Sequence, residues 1–187
     1  MGDEKIRLFV AASVPRDLLQ ALDEATAALR SRFPQARWVP VENQHVTLKF
    51  VGWFPAARLD EADGAVARAV RGVSLADISL SELGAFPSQR RMRVLWIGLE
   101  DPSRTLATIA RSLDDTFEPL GIPVEQRGFS PHLTLARFRT PVPAVEPLPD
   151  LTLARSDFRL TSVELYSSRL SPGGAQYEIL RSFPLDG

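Results

Sequence analysis

The 187-residue sequence has no cysteine. Disulfides, thiolate nucleophiles, iron–sulfur clusters and cysteine-bound zinc are therefore excluded, because the atoms they need are missing. Histidine occurs only twice, as His45 and His132, and lysine only as Lys5 and Lys49. Charge of neither sign dominates. With 22 basic and 23 acidic side chains, the chain is not a polybasic protein that grips long nucleic acid through many phosphates, and any RNA contact must be local. No apolar run approaches the roughly 18 residues of a membrane-spanning helix. The polar start, Met1 to Lys5, leads directly into a strand-like segment without a secretory core, so no membrane association and a cytoplasmic location are expected. A myristoylation reading of Gly2 fails because Ile6 stands where that motif needs Ser or Thr. No serine sits in a G-x-S-x-G nucleophile turn.

Hydrophobic residues at 44% and charged residues at 24% are ordinary for a folded globular protein. At this length one domain, residues 1–187, is expected. Arg7–Ala12 reads as a buried strand. A helix follows Pro15, with Leu18, Leu19, Leu22, Ala25, Leu29 and Phe33 at helical spacing until Pro34 ends it. Gln44–Val51 alternates, placing His45, Thr47 and Lys49 on one face, and Gly52 is expected to end that strand. Leu59–Val70 reads as a second helix. Asp77–Leu83 and Arg93–Leu99 read as strands. A third helix has the face Leu106, Ile109, Leu113 and Phe117, and a further strand runs from Phe129 to Phe138. The prolines between Pro141 and Pro149 predict a stiff connector. Phe158–Leu170 and Tyr177–Leu185 read as a closing pair of strands, joined by a turn at Ser171–Gly174. No apolar stripe is left over once the helices are packed, so a monomer is expected.

The order of elements repeats. Strand, helix and a strand bearing His45-Val46-Thr47-Leu48 are echoed by strand, helix and a strand bearing His132-Leu133-Thr134-Leu135. Such an echo predicts an α+β fold of two pseudo-symmetric lobes, with two antiparallel sheets facing a central cleft. Residues two apart on a strand point the same way, so each motif offers an imidazole beside a hydroxyl. Facing each other, the pairs would supply two groups that titrate near neutral pH and two hydroxyl donors. Hydrolysis of a phosphodiester needs that set: a base for the incoming water, an acid for the leaving sugar oxygen, and donors for the non-bridging oxygens. Two histidines without suitably spaced carboxylates make an incomplete zinc set, so neither metal nor other cofactor is expected.

The combination of QHVTLKFVG, FSPHLTLARF, the opening RLFVA, the VLWIGL strand and the closing PGGAQYEIL resembles the two-histidine (2H) phosphoesterase superfamily, and within it the RNA 2',3'-cyclic phosphodiesterases, historically called 2'-5' RNA ligases. The resemblance extends from Arg7 to about Leu185. It implies hydrolysis of RNA-terminal 2',3'-cyclic phosphates, or of cyclic nucleotides, to 2'-phosphates without a metal. It also implies that His45 is the proton donor, that His132 is the proton acceptor and that Thr47 and Thr134 bind phosphate. Chemistry alone leaves the two histidines interchangeable. Arg137 matches a phosphate-binding arginine and Phe50 a base-stacking aromatic, although each lies five residues after its histidine, which sends it to the opposite face unless a bulge intervenes.

Tyr177 is open between cleft and core. Trp38 and Trp53 read as packing residues ahead of nucleotide-stacking ones, Arg90, Arg91 and Arg93 as a solvated turn ahead of an RNA-backbone contact, and Lys49 as a solvated lysine ahead of a partner for His45 or phosphate. Three other functions share the motifs: ligation by the reverse reaction, a non-catalytic module that binds RNA ends or nucleotides, and action on ADP-ribose cyclic phosphates or 2'-5' oligoadenylates.

Overall fold

A computed structural model describes residues 4–144, 147–171 and 174–187. The elements are β1 (Lys5–Ala12), α1 (Arg16–Ala25), α2 (Ala27–Arg32), β2 (Arg37–Trp38), β3 (Val46–Pro55), α3 (Leu59–Ala69), β4 (Ala76–Phe86), β5 (Met92–Glu100), α4 (Thr105–Phe117), β6 (His132–Val142), β7 (Asp157–Leu160), β8 (Ser162–Ser171) and β9 (Gly174–Pro184).

The strands run in the order β7-β4-β5-β6-β3-β1-β8-β9, with β2 added beside β6. The two antiparallel sheets expected are thus two halves of one sheet. They meet at the centre, where β3 and β6 share a single register pair, Val46 with Leu133. The order is nearly a palindrome about that pair: each motif strand is followed outward by the strand that opens its own echo, β1 or β5. Val46 and Leu133 are fully buried, in one core with Leu106, Ile109, Leu113 and Phe117 of α4 and Leu18, Leu19 and Leu22 of α1. The helices therefore bury the Val46 and Leu133 face, and the residues that alternate with these two face the other way.

Three expectations are corrected. The first helix breaks at Thr26, whose hydroxyl donates to the carbonyls of Leu22 at 2.9 Å and Asp23 at 3.1 Å, a local bond that competes with the helix ladder. Phe158–Leu170 is two strands rather than one, because β7 pairs with β4 in one half whereas β8 pairs with β1 in the other. Strand β3 does not stop at Gly52. That glycine has φ of +80°, a conformation a glycine adopts without strain, and the strand continues to Pro55. Met1–Asp3, Val145 and Glu146 of the connector, and Pro172 and Gly173 of the closing turn lie outside the described residues.

Candidate active site

The antiparallel pairing of Val46 with Leu133 turns His45 toward Thr134 and Thr47 toward His132, on the face away from the core. The pairing crosses the motifs, so the histidine end of each faces the threonine end of the other. The two imidazoles therefore lie at opposite ends of the bridged segment, on the same face of the sheet. All four side chains are half-buried.

Phe50 and Arg137 reach this face through the same device. Along β1 the register passes from Ala11–Thr47 to Val10–Lys49, leaving Leu48 as an extra residue. Along β5 it passes from Trp96–Thr134 to Leu95–Ala136, leaving Leu135 extra. The leucine that closes each His-x-Thr-Leu motif is therefore a bulge, and each bulge reverses the alternation. Phe50 becomes the register partner of Phe9 on the His45 side, and Arg137 acts electrostatically on both histidines.

The bulge also corrects the reading of Lys49, which is neither solvated nor beside His45. It is buried, its ammonium donating to the Asp114 carboxylate and, at 2.6 Å, to the Pro123 carbonyl. Asp114 in turn accepts the Glu125 N–H at 3.3 Å. Lys49 thus ties the bulge of β3 to α4 and to the segment that leads into β6.

Each histidine has a ring N–H bonded to the carbonyl two residues before it. Nδ1 of His132 lies 2.7 Å from the Ser130 oxygen, and His45 bonds the Asn43 backbone. A carbonyl cannot donate, so Nδ1 of His132 carries the hydrogen, and Nε2 is left to exchange a proton. Burial pushes His45 down to about 4; the Asn43 bond opposes the shift, and the positive charge of Arg137 adds to it. His132 is also lowered, first by burial, then by Arg137, against the Ser130 bond. Both shifts favour the neutral imidazole in the free protein.

Sequence reading missed the aromatic beds. His45 stacks on Phe9, centroids 4.8 Å apart, and meets the edge of Tyr177 at 5.2 Å. Phe9 stacks in turn on Tyr166 at 4.9 Å. The Tyr166 hydroxyl is 2.9 Å from Ser13 Oγ, which donates to the buried Glu164 carboxylate at 2.9 Å. His132 meets Phe86 edge-on at 5.1 Å and Trp96 at 6.0 Å. Trp96 packs against Gly84, where a Cβ would come within 2.2 Å of the indole. These residues come from strands far apart in the chain, so no local pattern marks them.

Tyr177 meets His45 and also packs against the small buried cluster of Phe9, Ala11 and Tyr166. It lines a recess of about 150 Å³ with Arg7, Phe9, His45, Phe50 and Gly52. Trp38 packs against the core beneath Arg30, 4.7 Å from its ring. Arg90, Arg91 and Arg93 are exposed at the β4–β5 turn. Trp53 is exposed on β3 rather than packed. Among the described residues no three His, Asp or Glu side chains gather around a point where one ion would fit.

The family model of the 2'-5' RNA ligase superfamily matches residues 14–171. The chain belongs to this superfamily. It is the two-histidine phosphoesterase family that the paired motifs resemble. Within the superfamily the chain is 32% identical to the RNA 2',3'-cyclic phosphodiesterase of Methanothermobacter thermautotrophicus, over 97% of this chain and 100% of that protein. It is 30% identical to the Thermus thermophilus protein of the same name, over 97% and 91%. E. coli LigT, solved in complex with 3'-AMP, superposes with a TM-score of 0.81 at 25% identity, covering 98% of this chain and all of that one. The α+β architecture is thus that of the LigT-like members of the superfamily.

Proposed function

We propose that this chain hydrolyses 2',3'-cyclic phosphates at RNA 3' ends, and in small cyclic nucleotides, to 2'-phosphates without a metal. The observation that carries the reading is the crossed arrangement of the two His–Thr pairs about Val46–Leu133. The named activity of the relatives supports it.

In this mechanism Nε2 of His132 takes a proton from water as the water oxygen bonds to phosphorus. The phosphorus–O3' bond breaks on the far side, and the imidazolium of His45 gives its proton to O3'. A 2'-phosphate and a free 3' hydroxyl remain. His132 ends protonated and His45 neutral, and exchange with solvent restores both. Thr47 and Thr134 donate to the non-bridging oxygens and Arg137 offsets their charge. The anionic substrate favours the protonated form of His45, so binding itself opposes the downward shift that burial imposes. Phe50 and Tyr177 border the base.

The test is incubation with 2',3'-cyclic AMP in chelator, alongside His45→Ala and His132→Ala. Formation of 2'-AMP by the wild type, with each variant slower by about 10² to 10⁴-fold, is expected. Either variant retaining the full rate, or a chelator abolishing the wild-type rate, would overturn the mechanism.

A further inference from the structure

Two large apolar side chains of β3 stand in solvent, Phe50 at 65% and Trp53 at 64% exposure. Phe50 is the register partner of Phe9 and Trp53 that of Arg7, because a second extra residue, Val51, lies between the two pairs. Arg7 and Phe9 are two apart on β1 and share a face, so both aromatic rings rise on the side of His45. Their spacing along the sheet is about 7 Å, two strand residues, or about twice the 3.4 Å rise of stacked bases. The floor between them is Gly52, where a side chain would meet nothing within 4 Å. Among the described residues the Arg7 guanidinium has no ion-pair or hydrogen-bond partner, and it lines the same recess as His45 and Phe50.

We propose that Trp53 and Arg7 form a subsite for the nucleotide immediately upstream of the reacting terminus: Trp53 stacks on its base and Arg7 holds the phosphate that links it to the terminal nucleotide. This rests on the hydrolase reading above and adds a preference to it. The enzyme favours an RNA strand over a free cyclic nucleotide because a strand fills one more site. The occupant follows from three features: two flat rings of tolerant chemistry, a cation opposite Trp53 with no partner among the described residues, and continuity with the imidazole. A single strand with splayed bases meets all three.

The decisive comparison is kcat/KM for 2',3'-cyclic AMP and for a diadenosine ending in a 2',3'-cyclic phosphate, measured on wild type, Trp53→Ala and Trp53→Phe. Trp53→Ala is expected to lose about 5- to 100-fold on the dinucleotide and to stay within about twofold on the mononucleotide, with Trp53→Phe recovering most of the loss. For Arg7→Gln, the salt slope of the dinucleotide reaction falls by about 0.7, as loss of one phosphate contact on a single strand requires. Equal losses on both substrates, or no loss on either, would overturn the subsite. So would a change of molecular mass by light scattering between wild type and Trp53→Ala, which would assign the ring to a contact between copies. Quenching of tryptophan emission by the hydrolysed dinucleotide reads binding without turnover. If wild type cleaves neither substrate yet shows quenching that Trp53→Phe reduces, the hydrolase reading fails and the subsite stands. Intact turnover with neither substrate preference nor Trp53-dependent quenching defeats the subsite alone.

Discussion

Acidification from about pH 8 to about pH 5 should cost this protein stability through one side chain. The unfolded chain protonates His45 at its ordinary 6.5, whereas burial on the Phe9 and Tyr177 rings holds the folded value at about 4. Between these values the unfolded state binds more protons, so stability rises with pH, is fully present above 6.5 and is lost as pH falls toward 4. At pH 5 the linkage amounts to about 2 kcal/mol, and partial solvent access to the half-buried ring brings the expectation to about 1 to 2 kcal/mol. Carboxylates titrate over the same range, so the assay must isolate His45. Urea unfolding of wild type and His45→Gln at both pH values does so, because glutamine has no charge to gain. The variant should lose less stability on acidification than the wild type, by about 1 to 2 kcal/mol. Equal losses in the two proteins would show that the aromatic bed does not exclude the imidazolium.

Both catalytic candidates are lowered from 6.5, so kcat/KM for a cyclic nucleotide should peak in the acid range and already be falling between pH 7 and 8; a profile still rising there would refute this. Arg137 pushes both imidazoles down, so Arg137→Gln should move the limbs of that profile to higher pH as well as lower its height, and limbs that stay in place would separate Arg137 from the histidines. Gly84→Ala would drive a Cβ into the Trp96 ring; a loss of about 1 to 3 kcal/mol in urea unfolding and altered tryptophan emission are expected, and neither change would mean that the indole does not lie on Gly84. Lys49→Met should cost about 3 kcal/mol by stranding Asp114, and Lys49→Met with Asp114→Leu should recover part of it; a double variant as unstable as the sum of the singles would show that the pair is uncoupled.

Much of this was legible in the sequence because it is local. Helical spacing gave α3 and α4 their buried faces, and the repeated His-x-Thr-Leu marked the two strands that meet at the centre. The bulges were not legible. Leucine is an ordinary strand residue, and nothing about Leu48 or Leu135 shows that it will be left out of the ladder. The five-residue offsets of Phe50 and Arg137 hinted at such a break, but alternation counted straight through Leu48 put Lys49 on the wrong face. The beds under the histidines are set by long-range pairing: Phe9 and Tyr166 are register partners, as are Gly84 and Trp96, and their separation in the chain hides them. Thr26, mid-helix by periodicity, broke its helix through a hydroxyl that periodicity ignores.

The near-palindrome of strands has a consequence for the product. A site built from two like halves offers a cyclic phosphate two ways in, related by half a turn. In one, the departing oxygen next to the acid is O3' and a 2'-phosphate results; in the other it is O2', and the isomer is a 3'-phosphate. The paired imidazoles and hydroxyls do not distinguish these poses. What distinguishes them is the furniture: Phe50 follows one bulge and Arg137 the other, and His45 rests on stacked rings whereas His132 meets the edge of one. Regiochemistry is therefore a measure of how far the two halves have diverged, and the proportion of 2'- to 3'-phosphate made by variants at these four places would show which departure from symmetry chooses.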